Sequence, residues 1–421
     1  MIAHPQKFLK TLFDEAVKAA DPELIIQPYI PDPPKGKTVV IGVGKAAAKL
    51  ALAFEMGFKG PIGGIVVTPY GHGVKCKNIE VVEAAHPLPD ENGLLASRKI
   101  FAALQDLTVD DLVVALICGG GSALLPAPPG ILNLQDEIDL NKVLLSSGIS
   151  ISKMNLIRKH VSTVKGGKLG LACNPAKLIT MVLSDVPGDE LHQVASGPTI
   201  ADNSNREDAI NEIALNDLKL PKNIIQHLQS AVADCPTPEV LRKLNHEIYM
   251  IGSAQNSLLA AKKKVEEAGL TAVILSDSIE GEAIEIGKMH GAIVNQINAY
   301  NQPFPKPTVL LSGGETTVTL DDFSGRGGRN TEFLLSFLMS LKDHHSTYAL
   351  AADTDGIDGS ETNAGAFGDP NTLSLIRAKG LNAAELLLSH NAYLAFEAAG
   401  SLFFTGSTGT NVNDFRAIFI S

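Results

Sequence analysis

Short apolar runs alternate with helical segments along most of the chain. Nearly every run stops at a glycine, an aspartate, a serine or a basic residue. The runs at 38–43, 63–68, 79–84, 111–117, 178–183, 248–251, 272–275, 308–311 and 348–352 predict strands. Helical spacing predicts an opening helix over 5–20 and further helices between the strands. Strands separated by helices of 10–15 residues mean α/β architecture with largely parallel sheet. A polar, Pro-bearing stretch at 203–245 predicts a domain junction, which gives an N-terminal domain over 1–240 and a C-terminal one over 241–421. The polar residues gather where the strands end: Lys45, His86, Gly119 to Ser122, Ser184-Asp185, Ser253, Ser312 to Glu315, Asp353 and Asp355. Open α/β sheets bind ligands outside those ends, so the pattern predicts an enzyme with a polar cleft.

Composition narrows the partners. A formal net charge of -11 opposes a nucleic-acid or anionic-membrane surface, since both need a basic footprint. No run approaches the roughly 18 apolar residues of a membrane-spanning helix, and the first ten residues lack a signal-peptide pattern. Four widely spaced cysteines without a CxxC pair point to reduced thiols in the cytoplasm.

The glycine-rich turns suggest anion chemistry. Gly42-Val-Gly44-Lys-Ala-Ala47 matches the relaxed dinucleotide pattern between strand and helix, but the next strand ends at Thr68-Pro69-Tyr70 without the required acid. A nicotinamide cofactor is therefore not expected. Cys118-Gly119-Gly120-Gly121-Ser122 is the better phosphate cradle, since consecutive glycines can turn several N–H groups on one anion. It is not a Walker A loop. The strand 308–311 stops at Gly313-Gly314-Glu315, and a second short β-rich piece follows. After it, Gly325-Arg326-Gly327-Gly328-Arg329-Asn330 offers glycine flexibility and arginine forks to a phosphate or carboxylate. Asp185, Asp189, Asp353, Asp355 and Asp358 are hard oxygen donors suited to Mg²⁺. The spacing of 353–359 is not that of an EF-hand, and no G-x-S-x-G elbow supports a serine hydrolase.

Nine motifs in order carry a family resemblance. They are 41–47, 118–124, 165–169, 183–189, Ser196-Gly-Pro-Thr199, 311–318, 325–330, 352–359 and Thr408-Gly-Thr-Asn-Val-Asn-Asp414. Together they resemble class II glycerate kinases, the glycerate 2-kinases with a C-terminal MOFRL domain. The resemblance implies two α/β domains, a Rossmann-like mainly parallel sheet and a MOFRL-type domain (about 305–418), with the active site in the cleft between them. It implies ATP- and Mg²⁺-dependent phosphorylation of D-glycerate to 2-phosphoglycerate, with Lys45 and Arg329 catalytic. On that reading Gly119, Gly120, Gly121 and Ser122 hold ATP. Lys45, His86, Arg329, Asn330 and Glu315 meet the substrate. Asp185 or Asp353, with or without Asp189, holds the metal, and an aspartate or His86 takes the hydroxyl proton. The expected partners are D-glycerate and ATP, with no nucleic acid and no membrane, for a cytoplasmic monomer or homodimer. An NAD(P)H-dependent hydroxypyruvate reductase is the alternative. One departure stands out: Thr331 replaces the glutamine more usual after Arg-Asn.

Overall fold

The computed structural model describes residues 2–186, 188–320, 325–342 and 346–421. Pro187, in the 183–189 motif, lies outside them. The chain divides into two units, Pro22–Ile251 and Met1–Asp21 with Gly252–Ser421.

The first unit is built on strands β1 (Thr38–Val43), β2 (Ile62–Pro69), β3 (Ile79–Ala84), β4 (Leu112–Cys118), β5 (Lys177–Leu183) and β6 (His246–Gly252). They form one sheet in the order β3-β2-β1-β4-β5-β6. β3, β2, β1, β4 and β5 pair in parallel, so their carboxyl ends share one edge. Every residue of β1 and β4 is buried. A strand covered on both faces has no reason to alternate, which is why these read as unbroken apolar runs. Ile41, Val43, Ile65, Val67, Val113, Ala115 and Ile117 pack with Ala96 and Ile100 of the helix Glu91–Ala103. Asp90 caps that helix, accepting from the Gly93 N–H at 3.0 Å. A separate helical core gathers Leu140, Leu144, Ile157, Ile213, Ile224 and Leu228.

In the second unit β7 (Thr271–Glu282), β8 (Thr308–Thr317), β9 (Thr347–Asp353), β10 (Gly365–Gly368), β11 (Leu402–Phe403) and β12 (Asp414–Ile420) take the order β11-β10-β9-β12-β8-β7. β7 and β8 are parallel, whereas β12 runs antiparallel to both β8 and β9, and β10 antiparallel to β9 and β11. Alternate residues serve opposite faces. Leu310, Ala349, Ala351 and Ile418 pack with the helices Ala283–Tyr300 and Arg329–Ser340. Val309, Leu311, Leu350, Ala352, Phe415 and Ala417 pack with the helices Pro5–Lys18 and Ala254–Glu267.

Three expectations change. The domain division at 240/241 moves in two ways. β6 completes the first sheet, with Leu178 N–H donating to the Asn245 carbonyl at 2.8 Å, so that unit runs on to Ile251. The opening helix belongs with the later residues, because Leu9, Leu12, Phe13 and Ala16 bury against the second sheet. Phe13 meets Phe403 and Phe415 edge-on, with ring centroids 5.1 and 5.8 Å apart. The third change concerns Gly313-Gly314, which do not end a strand. β8 continues through them to Thr317, and a Cβ on Gly314 (φ 124°) would lie 2.2 Å from the Ile279 carbonyl oxygen. That glycine admits the irregular stretch of β7 beside it.

Candidate active site

At the carboxyl edge of the first sheet, the turns after β1, β3, β4 and β5 converge. The β1 turn approaches β4 so closely that a Cβ on Gly44 would lie 2.3 Å from the Cys118 carbonyl oxygen. Gly44 N–H donates to the Val67 carbonyl at 3.0 Å, and Lys45 N–H to the Gly119 carbonyl at 2.8 Å. Two N–H groups of this turn are thus spent on the protein. Gly120 takes a left-handed conformation (φ 78°), and a Cβ there would stand 3.3 Å from Lys45 Cγ and 3.4 Å from His86 Nε2. A Cβ on Gly119 would overlap the Asp185 carboxylate, 1.6 Å from Oδ2. Lys45, His86 and Asp185 therefore fence one glycine loop. The N–H groups of Gly120, Gly121 and Ser122 donate to no other group among the described residues. Burial, then the Lys45 ammonium and the Arg158 guanidinium, pull the His86 imidazole down to about 4, so it is neutral at pH 7.

A directed hydrogen-bond chain leads away from Ser122. Arg158 lies on the helix Ile151–His160. Its Nη1 donates to Asn155 Oδ1 at 3.2 Å, and a guanidinium can only donate, which fixes that amide's orientation. Ser196 Oγ donates to the same oxygen at 2.9 Å. Its proton being used, it accepts from Ser122 Oγ at 2.7 Å. The Ser122 hydroxyl is left as an acceptor. Asp189 has a left-handed conformation (φ 55°), and its N–H donates to the Val186 carbonyl at 3.0 Å.

The second unit carries a different arrangement. Arg329 opens the helix Arg329–Ser340 and is held on three sides. Its Nη1 meets Glu315 at 2.9 Å, its Nη2 Asp353 at 2.6 Å and its Nε Asp414 at 2.7 Å. Asp414 also pairs with buried Arg416 and accepts from Thr316 N–H at 3.1 Å. Arg416 stacks over the Phe333 ring, 4.7 Å from its centroid. Burial pushes the Asp353 carboxyl up, Arg329 pulls it back down, and Asp355 and Asp414 add to the rise. Arg326 instead pairs with Glu361 at 2.9 Å and lies over Tyr393.

Several expected ligand contacts turn out to be internal. Asp358 caps the 329–340 helix, accepting the Asn330 and Thr331 N–H groups at 2.9 Å, so the anion at that terminus is the protein's own. Thr331 joins this cap through its hydroxyl, 2.8 Å from Asp358. Asn330, expected at the substrate, is fully buried with its Nδ2 on Asp414 at 2.8 Å. Gly325 and Gly328 pack against the backbone of His390 and Asp358. Asp414, Arg416 and Arg158 were not singled out from sequence. Their one signal is a charge set within a buried run, as Asp414 and Arg416 are in β12.

For Mg²⁺, no three His, Cys, Asp or Glu side chains gather as a ligand set among the described residues. Mg²⁺ is commonly held by one or two carboxylates with phosphate oxygens and water. The Asp185 carboxylate against the glycine loop fits that donor set. Asp353 fits less well, because its Oδ2 is on Arg329 and its Oδ1 accepts the Asp355 N–H at 3.0 Å.

Comparison with known proteins agrees with this layout. Residues 8–229 match a domain of unknown function (DUF4147), and residues 308–414 match the MOFRL family. A glycerate 2-kinase of Pyrococcus horikoshii is 38% identical over 94% of this chain and 90% of its own. The chain belongs to the glycerate 2-kinase family with a MOFRL domain. The crystal structure of a glycerate kinase from Thermotoga maritima superposes with a TM-score of 0.88 at 33% identity, covering 99% of both chains. A protein of Agrobacterium vitis, provisionally named a hydroxypyruvate reductase, is 46% identical over 99% of this chain and 94% of its own. This family member is therefore similar to proteins carrying two different activity names.

Proposed function

We propose that the protein transfers the γ-phosphoryl group of ATP to the 2-hydroxyl of D-glycerate, giving 2-phosphoglycerate and ADP. The observation that carries this reading is the Gly120–Ser122 loop, whose open N–H donors lie beside Lys45, His86 and Asp185. Phosphoryl transfer asks mainly for positioning and charge neutralisation. The loop N–H groups take nucleotide phosphate oxygens, and Lys45 meets the charge on the transferring group. Asp185 would hold Mg²⁺ together with phosphate oxygens, and the ion, when bound, supplies further neutralisation. As the bond from glycerate O2 to the γ-phosphorus forms and the bond to the ADP oxygen breaks, neutral His86 accepts a hydrogen bond from the reacting hydroxyl at Nε2 and the proton leaves to solvent. Ser122 Oγ, an acceptor, suits a substrate hydroxyl rather than a phosphate oxygen. Arg329, held by Glu315, Asp353 and Asp414, is given no part in this step.

The alternative, reduction of hydroxypyruvate with NAD(P)H, is supported by the naming of some relatives. It is opposed by the β1 turn, whose N–H groups are already paired. Both activities are measured on one preparation: ADP release with ATP, Mg²⁺ and D-glycerate, and NAD(P)H oxidation with hydroxypyruvate. ADP release without NAD(P)H oxidation is expected, and Lys45→Ala should lower kcat by about 10³-fold or more. NAD(P)H oxidation without ADP release would reverse the assignment.

A further inference from the structure

Arg158 has no place in the reading so far, and its surroundings are unusual for an arginine. It is only 7% exposed, yet it forms no ion pair with a described residue. Its partners are two neutral amides: Nε donates to Asn141 Oδ1 at 2.8 Å and Nη1 to Asn155 Oδ1 at 3.2 Å. Glu137, the acid whose charge acts on it, is committed elsewhere. One of its oxygens pairs with Lys165 at 2.9 Å and the other accepts the Ala127 N–H at 3.1 Å. Nη2 hydrogen-bonds to no described residue and is not among the nitrogens sealed from solvent. A buried cation with no carboxylate is costly unless something else supplies the negative charge. Burial lowers its pKa to about 10, so it remains charged at neutral pH.

Its position says where that charge comes from. Through Asn155 and Ser196 it is joined to Ser122, and its charge reaches His86 beside Gly120. We infer that Arg158 is the carboxylate anchor for the small hydroxy acid, holding the substrate's carboxylate on its free Nη2 edge while the substrate's other hydroxyl, the one not phosphorylated, donates to Ser122 Oγ. The inference rests on the kinase reading for the identity of the acid. It gives Lys45 to the phosphoryl group and Arg158 to the carboxylate. It also makes the charge of the acid, rather than its hydroxyls, the main determinant of recognition.

The test changes the substrate as well as the protein. Steady-state kinetics compare D-glycerate with its neutral amide, glyceramide, in wild type, Arg158→Lys and Arg158→Met. Binding of D-glycerate is followed in parallel by calorimetry without nucleotide. Wild type should prefer D-glycerate by about 100-fold in KM, the worth of a charge-assisted pair. Arg158→Met should lose that preference while keeping KM for ATP, and Arg158→Lys should fall between. A merely structural role would raise KM for both substrates alike, and would overturn the inference. So would a wild type that takes glyceramide as readily as D-glycerate, a result that needs no variant to fold. If wild type binds D-glycerate through Arg158 but releases no ADP, the kinase reading fails and the anchor stands. If calorimetry detects no binding of D-glycerate, the anchor fails.

Discussion

Arg158, in the 22–251 unit, and Arg329, in the other, are both guanidiniums largely withdrawn from water, but they have opposite company. Two amide oxygens hold Arg158, and three carboxylates hold Arg329. Neutral acceptors orient a guanidinium and leave its charge unspent, whereas carboxylates consume it. The same contrast holds for the backbone around each. Beside Lys45 the Gly120–Ser122 N–H groups meet no acceptor among the described residues, while at the 329–340 helix the corresponding donors are taken by Asp358. One region is preformed to receive an anion. The other has supplied its own anions and carries a surplus of acid, which makes Arg329 first a clamp for the ends of β8, β9 and β12.

The contrast predicts unequal costs on removal. Arg329→Ala leaves Glu315, Asp353 and Asp414 facing one another and should cost about 3–5 kcal/mol of stability, read by urea unfolding. Arg158→Met loses hydrogen bonds to two amides and should cost about 1–3 kcal/mol by the same assay. Equal losses would erase the distinction drawn between the two sites. The next effect is on pH. Burial first, then neighbouring cations, pulls His86 and His290 down to about 4, and burial does the same to His246. An unfolded histidine titrates near 6.5, so as pH falls from about 6.5 towards 4 the unfolded chain takes up protons that the native state refuses. Stability should therefore be fully present above about 6.5 and drop through that window, by up to about 3 kcal/mol per histidine. His290→Asn, which removes one of the three, should flatten the drop measured between pH 7 and 5. The smallest effect is expected for Glu315→Gln. That side chain is 46% exposed, and its loss leaves Asp353 and Asp414 on Arg329. Less than about 1 kcal/mol should follow.

Legibility in the sequence followed burial. Lys45, His86, Gly119 and Asp185 could be found because each ends an apolar run, and parallel strands carry such ends to one edge. β12 escaped notice because its run follows a glycine- and threonine-rich tail and contains Arg416. Only the sheet shows it as the central strand between β8 and β9. The helical spacing of 5–18 shows that a face must be buried but not that its cover lies some 400 residues later, at Phe403 and Phe415. Arg158 resembles any charged residue on a mixed helix. Its isolation from acids emerges only when Asn141, 17 positions away, folds beside it. Glycines carried one signal for two different structures. Those at 119–121 do form an open loop, while Gly313-Gly314 continue a strand because β7 presses against them.

The most direct test is the fate of the phosphoryl group. Phosphorus NMR of the product formed from ATP, Mg²⁺ and D-glycerate should show 2-phosphoglycerate, with the signal abolished in Lys45→Ala. A product phosphorylated at the 3-position, or an undiminished signal in Lys45→Ala, would contradict the account.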